Sequence, residues 1–399
     1  LAIGGYGLTQ ALLQIPMGVL SDKIGRKPII IGGLLIFAIG SMVAATADTL
    51  VWVVIGRFLQ GAGAIAGAIM ALAGDLSREK QRPKVMAVIG ISIGFSFYLA
   101  LLIGPVIAAK FGLSGIFLLT GVLAFLCVFL VIFVVPNAKN IAPIGDTLPV
   151  IQDLKSLVSH SDLARLNISV LFLHMLITLL FVQIPLLLVD LNWPLAKHWQ
   201  AYLVVLVASV IGLLGLMAAA SKYKNAVMQI SVGGLAAVFL CMVFSQNSLL
   251  YLILLISLFF TCFNYLEANF PAMVSNIAPA GKKGSAMGIY ASFQFFGAFI
   301  GGVLSGSISE LLGIQWVFVL ASVLCCIWLV LIKGLNATNR LKRYTLKISK
   351  QTTSLALQQL SELKGVVDIT VVPDEQVMYL KAEQHFDIQQ ARLVLNIKE

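Results

Sequence analysis

The chain has 399 residues, of which 59% are hydrophobic and 11% are charged, with a mean hydropathy of +0.98 and a formal net charge of +10. Ordinary soluble domains contain about 45–50% apolar and about 25% charged residues, so this composition excludes a soluble protein and indicates a polytopic membrane protein. The positive charge does not indicate binding to nucleic acid. The basic residues lie in short loops between apolar runs, where they determine membrane topology.

Eleven apolar stretches reach the length of about 20 residues that a helix needs to cross a bilayer. They lie near residues 1–20, 28–47, 50–74, 84–109, 114–135, 166–190, 198–220, 225–245, 248–275, 284–309 and 314–333. One alternating set of loops carries eighteen lysines and arginines, and the other carries only Lys110 and Lys197. This asymmetry predicts that the basic loops and the C-terminus are cytoplasmic and that the chain starts outside.

A charged turn joins the first two stretches, with the sequence Gly18-Val-Leu-Ser-Asp22-Lys23-Ile-Gly25-Arg26-Lys27-Pro28. Gly25 is free to adopt a positive φ, and Asp22 and Arg26 are four residues apart, so they would face each other at a helix end. The pattern resembles the loop between helices 2 and 3 of the major facilitator superfamily. That fold has twelve helices in two six-helix halves, so the resemblance implies that this chain is a fragment that lacks helix 1.

Beyond Arg343 the pattern of apolar residues is no longer that of membrane helices and becomes typical of a small α+β domain. Alternation from Tyr344 predicts a strand, a helical pattern ends at Gly365, two further strands follow, and Ile388, Ala391 and Leu395 mark a second helix. This βαββα order suggests a ferredoxin-like domain, closed by a last strand cut short near Ile397. We expect an N-terminal membrane half, a linker, a C-terminal membrane half, a second linker and this domain at residues 1–135, 136–164, 165–334, 335–343 and 344–399.

Metal binding is not expected anywhere in the chain. The ferredoxin-like tail resembles heavy-metal-associated domains in element order, but Lys350-Gln-Thr-Thr-Ser stands where those domains carry a cysteine pair. The five cysteines lie inside apolar runs without metal-ligand or disulfide spacing, so we interpret them as small core residues.

In the first half, Arg57 is the only basic residue deep in an apolar run, within Gly56-Arg57-Phe-Leu-Gln60-Gly61. This segment resembles the helix 4 motif of the superfamily. A charge there costs roughly 2.5–3.5 kcal/mol on insertion scales, so we expect Arg57 to face the bundle and have a partner. The alternative is an arginine that extends toward the outer end of its helix.

Asp75 ends the third stretch, at a helix C-terminus whose dipole disfavours a negative charge, so a cation is expected nearby. In the superfamily, an acid at this place pairs with the arginine of the charged loop. The resemblance implies that Asp22, Arg26 and Asp75, with Gly18, Gly25 and Lys27 of the same motif, form a latch. This latch would hold the outward-open state shut on its cytoplasmic side. The alternative is an interfacial salt bridge without a switching role.

The fourth stretch contains Gly94, Gly104 and Pro105 in a pattern that resembles the G-x-x-x-G-P signature of antiporters. The two glycines that usually follow are Ala108 and Ala109 here, so the match is partial. Glycine and proline permit a bend and close helix packing, and packing alone is the alternative interpretation.

In the second half, Glu267 is the only deep intramembrane acid, and it lies close in sequence to Asn264 and Tyr265. An intramembrane carboxyl group is a functional hypothesis by default, and burial favours its protonated form. His174 is a second candidate proton carrier. The alternatives are a structural hydrogen bond for Glu267 and a satisfied core histidine for His174.

Over the membrane part, the chain resembles drug–proton antiporters of the major facilitator superfamily. The resemblance implies a bacterial inner-membrane transporter, a monomer, which exchanges inward protons for an amphipathic small molecule by alternating access, driven by the proton gradient without a cofactor. One alternative is a symporter or uniporter for a small solute, and another is a transporter-derived sensor with the tail as its output. An enzyme is not expected, because the sequence has no metal cluster, nucleophile–base pair or nucleotide-binding loop.

Overall fold

The structure, a computed structural model, describes the chain apart from residues 1, 78–80, 137–150, 245–247, 280–281, 336–341, 349–353, 373–376, 383–385 and 396–399. Helices dominate the described part. They are α1 Gly5–Ile24, α2 Arg26–Ala45, α3 Leu50–Ala62, α4 Ala66–Leu76, α5 Arg82–Phe133, α6 Ile151–Val158, α7 Ser161–Asp190, α8 His198–Met242, α9 Leu249–Ile277, α10 Lys283–Leu311, α11 Ile314–Ile332, α12 Ser354–Glu362 and α13 Ile388–Val394.

Eight helical segments of the described chain are long and apolar enough to cross a membrane, and α1 is not among them. The predicted number of eleven spans is therefore not confirmed. Two of the eight segments have 46 and 48 residues, which corresponds to about 69 and about 72 Å at 1.5 Å per residue. Each contains one residue with non-helical backbone angles, Gly112 in α5 and Tyr223 in α8. Each is thus long enough for two crossings of a hydrocarbon core about 30 Å thick.

The predicted stretch at 50–74 is broken into α3 and α4. The break follows Ala62, and Ala64 has a φ of 31°. Gly63 lies against α2 there, because a Cβ atom on Gly63 would be only 2.7 Å from the backbone oxygen of Gly33. The absence of a side chain at both glycines lets the break pack directly on α2.

The second half is organised around a parallel contact between α7 and α10. Three small residues spaced four apart on α10 touch the α7 backbone in a constant register. Cβ atoms on Gly297 and Gly301 would collide with the backbones of Leu171 and Met175, and Ser305 donates to the Leu179 oxygen at 2.9 Å. Small residues at this spacing allow two membrane helices to approach closely.

The two halves are in contact through α1 and α10. A Cβ atom on Gly4 would be 2.8 Å from the Phe299 oxygen, and one on Gly7 would be 2.7 Å from the Phe295 oxygen. The ring of Tyr6 also packs edge-on against Phe295 with centroids 6.2 Å apart. The start of α1 is therefore seated against the second half.

The predicted linker at residues 136–164 is not entirely a loop. It contains α6, and α7 begins inside it at Ser161. Leu157 and Leu163 are each only 1% exposed and belong to the core of the second half. The C-terminal part of this segment is thus packed against the membrane bundle.

The tail forms a three-stranded antiparallel sheet from β1 Lys342–Lys347, β2 Val366–Val372 and β3 Val377–Ala382, with β3 in the centre. The order of its elements agrees with the predicted βαββα order, and Gly365 has a φ of 97° where the first tail helix was expected to end. The predicted last strand near Ile397 lies outside the described residues, and the ferredoxin-like fold is not confirmed.

A test of the α7–α10 contact compares Gly297→Leu with Gly306→Leu. The leucine at position 297 would have to displace the backbone of α7, whereas a Cβ atom at 306 meets no described atom within 4 Å. We expect overpacking by Gly297→Leu to cost at least about 1–3 kcal/mol, and Gly306→Leu to be close to neutral. The measurement is thermal unfolding of each purified variant in detergent. Equal unfolding temperatures would contradict the close contact.

Candidate functional site

The charged turn between α1 and α2 is built as predicted around Gly25, whose φ of 105° separates the two helices. A residue with a side chain is disfavoured in this conformation. On the α1 side of the turn, the Ser21 hydroxyl donates a hydrogen bond to the Gly18 oxygen at 2.7 Å. The turn then presents Arg26 as the first residue of α2.

Arg26 and Asp75 form a buried ion pair, with 3.0 Å between Nε and Oδ2 and side chains that are only 8% and 1% exposed. The guanidinium group also donates to the Ser21 hydroxyl at 3.2 Å. The side chain of Asp22, the third member of the predicted latch, lies outside the described part of the structure. The pair joins the start of α2 to the end of α4.

Lys27 extends the same network to the end of α5, where its ammonium group donates to the Val135 oxygen at 2.7 Å. A cation is favoured beside the free carbonyl groups of a helix C-terminus. The motif therefore ties α1, α2, α4 and α5 together, and all four belong to the first half. The described contacts hold together the end of this half that the loop charges predict to be cytoplasmic, and the switching role of the latch stays a prediction.

Arg57 is half-buried and faces α1, as expected for an intramembrane arginine. It donates to the oxygens of Ala2 at 3.1 Å and Gln60 at 2.8 Å, and its guanidinium group lies 5.1 Å from the ring centroid of Tyr6. Within the described residues it has no carboxylate partner. Gly61 allows the contact, because a Cβ atom there would collide with the Tyr6 backbone.

The glycines of the antiporter-like pattern are not in close contact with another helix. Cβ atoms on Gly94 and Gly104 would meet no described atom within 4 Å, and Pro105 is accommodated inside α5. The expected close packing at these glycines is therefore not seen in this structure.

His174, Glu267 and Gln294 converge from α7, α9 and α10 into one polar cluster, which we call the proton-site cluster. The Nε2 atom of His174 lies 3.8 Å from Glu267 Oε2 and 2.7 Å from the amide nitrogen of Gln294. That amide also lies 3.4 Å from Glu267 Oε1. Two predicted proton carriers are thus neighbours, and Gln294 bridges them.

The cluster is only partly shielded, with 15% of the His174 side chain and 33% of the Glu267 side chain exposed. Glu267 Oε2 itself is buried and has no hydrogen-bond partner among the described residues. A buried carboxylate oxygen without a donor is costly, so this atom is the weak point of the hydrogen bonding in the cluster. The cluster therefore places two titratable side chains and one amide together within an otherwise apolar bundle.

Asn264, one turn before Glu267 on α9, donates to the hydroxyl of Tyr98 at 2.6 Å. Tyr98 lies on α5 of the first half, so this hydrogen bond crosses between the halves. Aromatic rings surround it, because Phe97 packs edge-on against Phe181 with centroids 5.9 Å apart, and Phe260 lies against both. Tyr265 points elsewhere, into the core, where its hydroxyl has no described partner.

Sequence reasoning missed Gln294 and Tyr98. Both are polar residues within long apolar runs, Gln294 between phenylalanines in Ser292-Phe-Gln-Phe-Phe and Tyr98 in Phe95-Ser-Phe-Tyr. Polarity inside a membrane segment was the signal that singled out His174 and Glu267, and it applies to these residues also. Neither carries a charge, and unlike Asn264 and Tyr265 neither lies close in sequence to Glu267.

Comparison with known proteins agrees with this architecture. The family model "Major Facilitator Superfamily" matches residues 1–263 and 215–364. The chain is 36% identical over 400 residues to the inner membrane transport protein YajR of Escherichia coli K12. The alignment covers 98% of this chain and 88% of YajR. It is 27% identical over 180 residues to the multidrug resistance protein MdtL of Escherichia coli, covering 45% of this chain and 46% of MdtL.

Among solved structures, the human organic anion transporter MFSD10 (TETRAN) superposes with a TM-score of 0.60 at 20% identity, covering 83% of each chain. At 20% identity, this likeness shows a similar fold and nothing further. Together with the membrane helices, these matches identify a multi-pass membrane transporter rather than an enzyme. The chain belongs to the Major Facilitator Superfamily.

Proposed function

We propose that this protein is a proton-coupled antiporter of the bacterial inner membrane that exports small amphipathic compounds, with its C-terminal tail in the cytoplasm. The observation that carries the proposal is the proton-site cluster, in which His174 and Glu267 lie 3.8 Å apart. Ionisable residues inside membrane segments are expensive and commonly mark proton pathways. The similarity to an inner membrane transport protein of a bacterium supports the location.

Exchange requires that the protonated and deprotonated states favour different conformations. Deprotonated Glu267 would carry a negative charge at a partly exposed site, where a cationic or polar group of the exported compound offsets it. Protonation removes the charge and weakens that interaction. A proton entering from outside would thus replace the compound, which is antiport in one alternating-access cycle.

The neighbouring aromatic residues support an amphipathic substrate. Phe97 is 37% exposed, and it lies with Phe181 and Phe260 beside the Tyr98–Asn264 hydrogen bond. Aromatic faces bind apolar groups and attract cations, while the carboxyl group one helical turn away supplies polarity. The similarity to the multidrug resistance protein MdtL points in the same direction.

The first test measures substrate-driven proton movement in vesicles that hold the reconstituted protein and a pH-sensitive dye. We expect Glu267→Gln to abolish proton movement on addition of amphipathic cations, because glutamine cannot exchange a proton. Glu310→Gln is the matched control, since Glu310 is an exposed acid on α10 and should leave the flux within twofold of the unchanged protein.

Two outcomes would contradict antiport. Full proton movement in Glu267→Gln would remove Glu267 from the proton path. Binding of the amphiphiles without any flux in well-folded protein would favour a transporter-derived sensor.

The buried Arg26–Asp75 pair is proposed to stabilise the state in which the cytoplasmic side is shut. Asp75→Asn removes the carboxylate from a buried ion pair, and breaking such a pair by changing one partner costs about 3–5 kcal/mol. Asp162→Asn is the control, because Asp162 pairs with Arg165 at 3.2 Å but both side chains are 41% exposed, and exposed pairs contribute about 0–1 kcal/mol.

We expect Asp75→Asn to lower the unfolding temperature in detergent and to increase labelling of cysteines introduced on the cytoplasmic side. Asp162→Asn should change neither. A stable Asp75→Asn protein with unchanged labelling would mean that the ion pair has no role in switching.

The Tyr98–Asn264 hydrogen bond is proposed to hold the halves together in the state seen here. Tyr98→Phe removes the hydroxyl and keeps the ring, so a loss of about 0.5–1.5 kcal/mol for this state is expected. The measurement is the distance distribution between spin labels on the two halves, which should shift away from the present state. Tyr202→Phe, on α8, is a control with no change expected. An unaltered distribution in Tyr98→Phe would show that the bond does not bias the conformations.

A further inference from the structure

We propose that Gln294 is a positioning residue that fixes the tautomer of His174 and makes protonation of His174 incompatible with the hydrogen bond from Gln294 to Glu267. The inference rests on the proposed function, since it concerns the same proton-site cluster. It assigns to a neutral residue the coupling between the two titratable groups.

The argument begins with the amide group of Gln294, which faces His174 Nε2 at 2.7 Å and Glu267 Oε1 at 3.4 Å. Glu267 Oε1 accepts in this contact, either as part of an ionised carboxylate or as the carbonyl oxygen of a carboxyl group protonated on Oε2, so the atom of Gln294 that faces it is the donating nitrogen. The same NH2 group then points one hydrogen at Glu267 and the other at His174. The contact to Glu267 thus determines the orientation of the amide.

A donor at this position requires an acceptor on the imidazole. His174 Nε2 must therefore be unprotonated, and the ring proton of neutral His174 must lie on Nδ1. The Val170 oxygen lies 3.3 Å from Nδ1, where it can accept that proton. The two contacts agree on one tautomer, and it is the one that a free neutral histidine in water disfavours.

When a proton adds to the Nε2 lone pair, both ring nitrogens become donors. The amide of Gln294 must then turn its oxygen toward His174, and its hydrogen bond to Glu267 Oε1 is lost. Glu267 Oε2 has no hydrogen-bond partner among the described residues, so the carboxylate is left to the imidazolium beside it, 3.8 Å away. A third titratable group, Tyr290 on α10, is within electrostatic reach of Glu267.

Gln294 consequently transmits the charge state of His174 to Glu267 through one amide rotation. With neutral His174, Glu267 is held by Gln294. With protonated His174, Glu267 is released toward the imidazolium. Since α7 and α9 carry the two titratable groups and α10 carries the amide, the rotation changes the contacts among three helices of the second half.

The test is nitrogen NMR on the full chain with labelled histidine, at a pH alkaline enough to keep His174 neutral. The sequence has four histidines, so a His174→Gln spectrum assigns the signal of His174. We expect His174 of the unchanged protein to be protonated on Nδ1, and Gln294→Met to lose that signal in favour of the Nε2-protonated form. An Nε2-protonated His174 in the unchanged protein would overturn the inference without any variant.

Gln183→Met is the matched control. Gln183 is also a glutamine that joins α7 to α10, with its amide 2.8 Å from the Ser305 hydroxyl, but it is fully buried and is not in contact with the cluster. We expect it to leave the His174 tautomer unchanged. An equal change in both variants would overturn the inference, because helix packing would then explain the effect.

Proton flux in vesicles, measured separately, distinguishes this inference from the proposed antiport. If the tautomer changes in Gln294→Met as expected while the unchanged protein shows no flux, the inference holds and antiport fails. If flux is present but the tautomer of His174 does not depend on Gln294, antiport stands and the inference is overturned.

Discussion

A polar side chain in the apolar interior of a membrane bundle must find its partner within the protein, since lipid cannot satisfy it. This constraint determines how the polar residues of the chain are arranged. His174, Glu267 and Gln294 meet from three helices, and Arg26 reaches Asp75 from another helix. Lipid tails are as apolar as leucine side chains, so apolar contacts give little preference for one relative position of two helices. Each polar contact between helices adds such a preference.

Close approach of the helices makes these polar contacts possible. The glycines of α10 bring it against the backbone of α7, and the register set there continues to Ser305. In the same region, Gln294 spans the short distance to His174. A bulky residue in the α10 series would separate the two helices and leave the amide of Gln294 without its acceptor. The packing residues and the polar cluster are therefore parts of one arrangement.

The sequence was sufficient to predict several features that depend on charge or on local conformation. Gly25 takes the expected positive φ, Arg26 and Asp75 are paired, and the strands and helices of the tail occur in the expected order. The number of eleven spans is not confirmed, but the non-helical residues Gly112 and Tyr223 lie between stretches that were predicted as separate, 84–109 and 114–135, and 198–220 and 225–245. The interruption of α3 and α4 near Ala64 was missed, because it depends on the contact between Gly63 and Gly33.

The proton-site cluster shows why some members of the candidate site could be identified only from the three-dimensional structure. Glu267 is conspicuous in the sequence because a lone carboxyl group in a membrane helix is costly, whereas Gln294 carries no charge and gives a weak signal. The residue numbers 174, 267 and 294 have no periodic relation, and only the packing of α7, α9 and α10 against one another brings them together. In the proposed mechanism the titratable groups bind the proton, and the neutral amide of Gln294 determines which nitrogen of His174 receives it. A site of this kind is read correctly only when its uncharged members are included.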